Sequence, residues 1–354
     1  NDASNDCVQD ACGVWGGDDS SCTGCTDITA CNYSGSSFII DDGSCLTFDQ
    51  CGVCGGSGPV ECVNGDFECN EDDCPDTIDY CLSLHSGANL ISFYGLPIDA
   101  SLTNVVSSLG SLVTGIITEG GASSQSESVG WIGSISDISK HKGYWIIMSE
   151  ARDLCITEAL PNTTSLIYDL HAGANLISFP VNGSIGVSES IPDSIEDSIT
   201  AIVTEGAAAQ QLELGGWVGS ITNFSGGRGY WIIASDPISL SYNLTALIRI
   251  KEISVDRVPI GYEYNQSTQQ AFYFIESVEK IEVGDWLIAY HGNNLIGARI
   301  WTGEIIDIPV MGNDGHDFTS DYINTGNIPD FKLLKQDRLI SLVGDIPAYA
   351  HNTL

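Results

Sequence analysis

Residues 84–93 read "LHSGANLISF", and residues 170–179 repeat this segment as "LHAGANLISF", with one substitution. Three further segments recur at the same spacing of 86 residues: "ITEGGA" (117–122) as "VTEGAA" (203–208), "GWIGSI" (130–135) as "GWVGSI" (216–221), and "GYWII" (143–147) at 229–233. A constant spacing over four segments is the pattern of an internal duplication. The chain therefore contains two copies of one module.

The repeated segments predict short strands, with one helix in each module. "NLISF" and "YWII" are apolar, rich in β-branched residues and close to glycines, which is typical of strands. Between them, each module has three apolar residues at i, i+4 and i+8, the spacing of a short amphipathic helix: Val105, Leu109 and Val113 in the first module, and Ile191, Ile195 and Ile199 in the second. Pro192 suits the first turn of the second helix.

The composition and the duplication together divide the chain into four domains. Residues 1–81 form a Cys-rich, acidic and Gly-rich segment, residues 82–160 and 161–246 are the two β-rich modules, and residues 247–354 form a C-terminal domain. The first segment has too few apolar residues for a core, so it depends on disulfides or on metal.

The C-terminal domain shows the pattern of a β-sandwich. Residues 247–255 alternate like a half-buried strand, and "AFYFIESV" (271–278) predicts a second strand. Residues 286–301 predict a hairpin whose turn falls at Gly292, Asn293 and Asn294. We therefore predict a mainly β protein with short helices that ends in a β-sandwich.

The chain of 354 residues is strongly acidic, with 47 Asp and Glu against 12 Lys and Arg and a net charge of −35. Such a charge repels phosphate groups, which argues against nucleic acid and anionic membranes as partners. No apolar run reaches transmembrane length, so we predict no membrane span. Because the chain begins at Asn1 and not at Met, we expect that a signal peptide was removed or lies outside this sequence.

Residues 1–81 hold 12 of the 13 cysteines and 17 acidic residues, and they contain no Lys or Arg. Such a density of cysteines indicates disulfides and an oxidising compartment, which places the protein outside the cell or on its surface. The pairs Cys22/Cys25 and Cys51/Cys54 have a spacing that also fits zinc. The eight other cysteines of the segment need partners too, so disulfides are the favoured interpretation.

One disulfide can be assigned from the duplication. Cys81 precedes the first module and Cys155 lies near its end, and neither has a cysteine 86 residues later. We predict that these two cysteines pair and clamp the first module.

An odd number of cysteines leaves one without a partner inside the chain. "CGVWGG" (12–17) has Trp15 where "CGVCGG" (51–56) has Cys54. We therefore expect the unpaired cysteine near the N-terminus, at Cys7 or Cys12.

Three loops gather the hard oxygen ligands that Ca²⁺ prefers. They are residues 24–45, 69–81 and 310–322. The candidate ligands are Asp27, Asn32, Asp41 and Asp42 in the first loop, Asp72 and Asp73 in the second, and Asp314 and Asp317 in the third. None of the loops has EF-hand spacing, so solvated acidic loops are the alternative.

The chain contains no G-x-S-x-G, H-E-x-x-H, Walker or Rossmann motif, so we expect no enzyme. His85 and His171 lie at equivalent positions of the modules, as do Glu119 and Glu205. Paired carboxylates can hydrolyse glycosides, but one Glu per module argues against a shared active site. We interpret the histidines as residues at strand starts and the glutamates as turn or cap residues.

Six N-x-S/T sequons predict glycosylated surface positions: Asn32, Asn162, Asn182, Asn223, Asn243 and Asn265. Trp131, Trp217 and Trp301 would stack on sugar rings if they were exposed, but their apolar segments favour a place in the core.

"CGVCGG" and "GCTDITACNY…DDGSC" (24–45) resemble Cys-rich repeats of large secreted surface proteins from environmental, often aquatic, bacteria. The modules resemble the "GWNLISF…GYWV" modules of bacterial and archaeal surface proteins, although Ala88 and Ala174 replace the tryptophan. A C-terminal domain like the one with "IPVMGNDGHD" (308–317) occurs in the same kind of protein. The resemblance implies an exported, calcium-dependent and non-catalytic surface or fibre protein.

These observations predict a structural subunit of an extracellular fibre or filament. Open strand edges allow strand addition between copies, and a head-to-tail contact that does not close generates a filament. The alternative is an adhesin or glycan-binding surface protein.

Overall fold

The computed structural model describes residues 8–33, 40–62, 66–126, 128–212, 215–247 and 258–351. The predicted fold class is confirmed, because 43% of the chain lies in strands, 8% is helical, and the helices are short. The chain forms two compact units, residues 1–76 and 77–354.

The first unit has very little regular structure. Strand β1 (Thr23–Gly24) pairs with β2 (Ile40–Asp41), and β3 (Val60–Glu61) pairs with β4 (Phe67–Glu68). Single 3₁₀ turns lie at Ser20–Cys22 and Glu71–Asp73. Among the described residues of this unit, the buried hydrophobic side chains are those of three cysteines, Cys22, Cys25 and Cys62. Disulfides therefore take the place of an apolar core here.

Five disulfides cross-link this unit: Cys12–Cys22, Cys25–Cys45, Cys31–Cys54, Cys51–Cys69 and Cys62–Cys74. Each cysteine of the two C-x-x-C pairs bonds to a partner outside its own pair, as the disulfide interpretation predicted. The suggestion that Cys12 is the unpaired cysteine is wrong, because Cys12 bonds to Cys22. Cys7 lies outside the described residues.

The first module consists of a five-stranded sheet and a three-stranded sheet. Its elements are β5 (Ile78–Leu84), β6 (Gly87–Ser92), β7 (Gly95–Leu96), α1 (Leu102–Val105), a 3₁₀ segment (Ser107–Leu112), β8 (Val113–Thr118), β9 (Gly121–Ser126), β10 (Gly130–Gly133), β11 (Gly143–Met148) and β12 (Arg152–Pro161). The strand orders are β10-β9-β8-β11-β6 and β5-β12-β7. Apolar side chains of both sheets, such as Leu84, Ile146 and Leu154, form one core.

The second module repeats the five-stranded sheet, and two two-stranded sheets take the place of the three-stranded sheet. Its elements are β13 (Tyr168–Leu170), β14 (Gly173–Ser178), β15 (Ser184–Gly186), α2 (Val187–Ser190), α3 (Asp193–Glu196), β16 (Ile199–Thr204), β17 (Ala207–Gln211), β18 (Trp217–Gly219), β19 (Asn223–Ser225), β20 (Gly229–Ala234) and β21 (Ile238–Leu240). Its five-stranded sheet has the order β18-β17-β16-β20-β14, which corresponds strand for strand to β10-β9-β8-β11-β6 of the first module. Gly229 pairs with Ser178 as Gly143 pairs with Ser92, so the register is repeated as well.

The predicted helices are shorter than their apolar spacing suggested. In the first module α1 ends at Val105, Gly110 interrupts the following 3₁₀ segment with a φ of 57°, and Val113 begins β8. In the second module Pro192 caps α3, and Ile199 begins β16. Val113 and Ile199 pair with the central strands β11 and β20, so sheet pairing overrides the helical spacing at these positions.

The C-terminal domain packs two antiparallel sheets against each other. Its elements are β22 (Gln270–Ile275), β23 (Trp286–His291), β24 (Asn294–Ile300), β25 (Ile306–Met311), a 3₁₀ turn (Asp317–Thr319), β26 (Asp330–Lys335) and β27 (Arg338–Ser341). β22 pairs with β25, and the second sheet has the order β24-β23-β26-β27. The predicted hairpin is present, with its turn at Gly292 and Asn293. Most of the predicted strand at 247–255 lies outside the described residues.

Candidate functional site

The two modules contact each other through a pair of His–Glu contacts. His85 Nε2 lies 2.7 Å from Glu205 Oε1, and His171 Nε2 lies 2.6 Å from Glu119 Oε1. Each histidine follows the strand that opens its module, and each glutamate lies in the tight turn after β8 or β16. The histidine of each module therefore pairs with the glutamate of the other.

The second oxygen of each glutamate holds a strand of the other module. Glu205 Oε2 accepts a hydrogen bond from the Leu90 amide at 2.9 Å, and Glu119 Oε2 accepts one from the Leu176 amide at 2.9 Å. Two strand bridges between the modules show the same reciprocity. Ile91 of the first module pairs with Arg228 of the second, and the equivalent Ile177 pairs with Lys142. The modules are thus related by an approximate two-fold axis, and these contacts occur twice with the roles exchanged.

Both glutamates lie in turns, as interpreted from the sequence, and the structure adds their pairing with the histidines. Asp169, which lies nearest to His171 in the sequence among the acids, binds Ser239 Oγ at 2.7 Å and not the histidine. The usable signal was that a His and a Glu recur at one common spacing in a duplicated chain. Such residues can exchange partners across a two-fold axis.

The contacts change the titration of both histidines. Burial lowers the pKa of His85, but the hydrogen bond and the charge of Glu205 outweigh burial and raise the pKa above its ordinary value. The Ala172 carbonyl and Glu119 raise the pKa of His171, whose side chain is 60% exposed. A protonated histidine beside each carboxylate therefore favours the paired modules.

We expect histidine NMR titrations to show both pKa values above the ordinary value of 6.5. Glu205→Gln should lower the pKa of His85 alone, and Glu119→Gln that of His171 alone. Because the folded pKa is raised, the contacts stabilise the modules fully below a pH of about 6.5, and this stabilisation is lost as the pH rises through the raised pKa. Exposed Glu150→Gln is the control, and unchanged histidine pKa values in the two test variants would contradict the pairing.

An apolar cluster lies beside the His–Glu contacts. Ala88, Leu90, Trp145, Ile147 and Leu176 are buried together, and Trp231 and Phe318 pack on them. Ala88 is completely buried in this cluster, which joins both modules to the C-terminal domain. The alanine at this position therefore lies at the contact between domains.

The C-terminal domain docks on the second module through a buried carboxylate. Asp307 is fully buried and accepts hydrogen bonds from the Ala208 amide at 3.3 Å, the Ser220 amide at 2.6 Å and Ser220 Oγ at 3.1 Å. Arg299 Nη2 lies 2.8 Å from Asp307 Oδ2 and donates to the Gly206 carbonyl at 2.5 Å. The ion pair therefore connects the domain to the backbone of β17 and its preceding turn.

Gln270 and Phe272 complete this docking contact. The Gln270 amide donates to the Thr204 carbonyl at 3.0 Å and accepts from the Gly206 amide at 3.1 Å. Phe272 packs on Val203 and Ala208. Sequence reasoning missed this site because its side chains come from separate strands and bind mostly backbone groups, which leave no motif.

The predicted calcium ligands of the first loop hold their own loop. Asp27 Oδ1 accepts from the Thr29 amide at 2.8 Å, and Asp41 and Asp42 accept from the amides two residues ahead. The Thr29 amide and hydroxyl lower the pKa of Asp27. Asn32 accepts from the Leu46 amide at 2.9 Å. These hydrogen bonds order residues of the loop.

The other predicted calcium ligands lie apart from these. Asp72 and Asp73 are exposed in their 3₁₀ turn, and Asp317 is exposed too. Asp314 accepts hydrogen bonds from Thr268 and Thr319. Burial acts to raise the pKa of Asp314, but these hydrogen bonds lower it overall.

Within the described residues, one group of His, Cys, Asp or Glu places three ligand atoms close together: Asp10, Cys12 and Asp19. In this group Cys12 belongs to a disulfide, and Asp10 already accepts from the Val14 and Asp19 amides. Calcium binding by the eight predicted ligands stays a prediction.

The sequons differ in exposure. Four sequon asparagines are exposed: Asn182, Asn223, Asn243 and Asn265. The other two are half-buried: Asn32 donates to the Ser44 carbonyl and Asn162 to the Phe93 carbonyl.

Of the three tryptophans considered for sugar stacking, Trp301 is buried in the C-terminal core, and Trp131 and Trp217 pack against the module cores. Trp217 also donates to Glu196 at 2.7 Å.

The predicted disulfide between Cys81 and Cys155 is present and joins β5 to β12.

Across the described part of the chain, no helix has the length and apolar character needed to cross a membrane. No protein-family model matches the chain, and no match was found among curated proteins or solved structures.

Proposed function

We propose that this protein is a non-catalytic extracellular structural protein that assembles with copies of itself into a surface fibre or filament. The observation that carries the proposal is the open edge of the C-terminal sheet. Among the described residues, β27 ends the four-stranded sheet and pairs with β26 on one side only. All four of its residues are exposed.

The open edge combines backbone and apolar groups that a second strand can cover. Leu339 is 43% exposed, Ile340 49% and Val343 100%. Gln336 and Asp337, both with positive φ, form the tight turn that places β27 beside β26. An exposed strand edge of this kind is a template for strand addition, in which backbone hydrogen bonds supply the affinity.

The remaining features fit a protein that must last outside the cell. Six disulfides within one chain are typical of oxidising compartments. The proposal includes calcium as a further stabiliser of the acidic loops 24–45 and 310–322, where carboxylates and backbone carbonyls are available. The resemblance to secreted fibre proteins of environmental bacteria agrees with this assignment.

We expect electron micrographs of the concentrated protein to show filaments, and those of the edge variant Leu339→Lys/Ile340→Lys to show none. Two lysines on an edge strand repel an incoming strand and leave the core unchanged. Ile328→Lys is the matched control, since Ile328 is exposed in the same domain but lies outside the sheet. Monomers alone in the unsubstituted protein, at every concentration reached, would contradict the proposal. Treatment with a chelator tests whether calcium stabilises the protein. If neither the filaments nor the melting temperature change, calcium has no such role.

A further inference from the structure

The two modules present equivalent surfaces, and the described residues of the C-terminal domain cover only the one on the second module. We define the second-module face as Val203, Gly206, Ala208 and Ser220, and the first-module face as the equivalent residues Ile117, Gly120, Ala122 and Ser134. The C-terminal domain covers the second-module face, where Gly206 and Ala208 are buried. On the first-module face Gly120, Ala122 and Ser134 are all exposed.

The C-terminal domain also contacts the first module, and this contact too has an equivalent position in the other module. Phe318 of the C-terminal domain covers Gly87 and packs on the cluster that contains Ala88, and both of these residues are buried. The equivalent Gly173 is exposed and Ala174 is half-buried, and no side chain of the described residues covers Gly173 as Phe318 covers Gly87. Among the described residues, the positions equivalent to Gly87, Gly206, Ala208 and Ser220 are therefore exposed, whereas Ile117 is half-buried.

The chemistry of the covered contact is retained on the open face. The backbone partners of Gln270 and Arg299 belong to Thr204 and Gly206, and Thr118 and Gly120 hold the same positions in the first module. The partners of Asp307 belong to Ala208 and Ser220. Ala122 and Ser134 are identical to these in type and position.

The open face is stable without a partner because its polar groups bind each other. Ser134 Oγ accepts from the Ala122 amide at 3.1 Å, and the Ser134 amide donates to the Ala122 carbonyl at 2.8 Å. In the second module the Ala208 amide and the Ser220 amide and hydroxyl all turn to Asp307 instead. A carboxylate that arrives on the first-module face would find the same donors.

We propose that the first-module face is a second docking site for the C-terminal domain, and that its occupant is the C-terminal domain of a second copy of the chain. There Gln270 would bind Thr118 and Gly120, Asp307 would bind Ala122 and Ser134, and Phe318 would cover Gly173. This inference rests on the proposed self-assembly and names one of its contacts.

Domain exchange makes this contact compatible with the closed monomer. A C-terminal domain that leaves the second module of its own chain and docks on the first module of another replaces one contact by an equivalent one. Each chain then keeps one covered and one open face. The donor and acceptor surfaces differ, so the contact is head-to-tail, and it builds a filament when the rotation between successive copies does not close a ring. Exchange of the C-terminal domain between chains conserves the number of docking contacts. Protein concentration therefore decides whether the closed monomer or the exchanged multimer is populated.

The occupant can be identified by photo-crosslinking in the full chain. A benzophenone amino acid is placed at position 132, because Ile132 is 56% exposed and lies in β10, next to the first-module face. This chain is mixed at high concentration with isotope-labelled unsubstituted chain and irradiated. We expect labelled peptides from residues 270–275 or 306–311 to be attached to position 132.

A blocking variant tests the face independently. Ala122→Arg should lower the association constant of the multimer about tenfold, as a loss of about 1.4 kcal/mol in contact energy would. Its melting temperature should equal that of the unsubstituted protein, because Ala122 is exposed. Ser108→Arg, at an exposed position on another side of the same module, should multimerise normally.

The outcomes separate the inference from the proposed function. Filaments that persist with Ala122→Arg, or that give crosslinks only to the Cys-rich unit or to β27, would overturn the inference and leave the filament function standing. Absence of multimers at every concentration would overturn both. Crosslinks to the C-terminal domain together with loss of multimers in Ala122→Arg would support the inference.

Discussion

Arg299→Ala is expected to lower the free energy of unfolding by about 3–5 kcal/mol, the cost of leaving a buried charge without its partner. Asp307 has no exposed side-chain surface, and only 18% of the Arg299 side chain is exposed. Removal of the guanidinium leaves the carboxylate with three hydrogen bonds from the second module but no counter-charge. The C-terminal domain should therefore detach before the modules unfold.

Chemical denaturation followed by tryptophan fluorescence measures this effect. We expect one transition in the unsubstituted protein and two in Arg299→Ala. Arg338→Ala is the control, since Arg338 is exposed on β27. The double variant Arg299→Met/Asp307→Asn should recover part of the loss, because it removes both charges. A loss below about 1 kcal/mol in Arg299→Ala, the level of an exposed ion pair, would contradict the role of this pair.

The disulfide between Cys81 and Cys155 should have an effect of similar size. It closes a loop with a sequence separation of 74, for which chain entropy predicts about 4 kcal/mol. The second module offers the natural replacement, since Ile167 and Ser241 hold the equivalent positions. We therefore expect Cys81→Ile/Cys155→Ser to fold but to lose about 4 kcal/mol, with a melting temperature several degrees lower.

Thermal and denaturant unfolding measure the loss. Peptide mapping without reduction is the control, because it must show the five N-terminal disulfides unchanged and so exclude mispairing. If the variant with intact N-terminal disulfides unfolds like the unsubstituted protein, the strand pairing of β5 with β12 is sufficient on its own. The disulfide would then have no stabilising role.

Much of the modular fold could be predicted from the sequence. The 86-residue spacing predicted two modules, and both five-stranded sheets share one strand order. The helices were overestimated because the same apolar residues suit a helix face and a strand start. Val113 and Ile199 lie in strands because they pair with β11 and β20. The local sequence does not specify this pairing.

The candidate site was only partly predictable. His85, His171, Glu119 and Glu205 were recognised as equivalent pairs, but the exchange of partners needs the relative position of the modules. Asp307 and Arg299 left no signal, because their partners in the second module are mostly backbone amides and carbonyls, and every residue type has these. Contacts between side chains and distant backbone escape motif-based reasoning for this reason.

The exchanged His–Glu contacts have a consequence for how such a chain can be built. A module that carries both a histidine and a glutamate at these positions is self-complementary, so the contact between the modules is that of a symmetric homodimer enclosed in one polypeptide. Both halves must then vary together, because a change in either histidine or either glutamate breaks one of the two contacts. The C-terminal domain is present once, and its docking on the second module makes the environments of the two halves unequal.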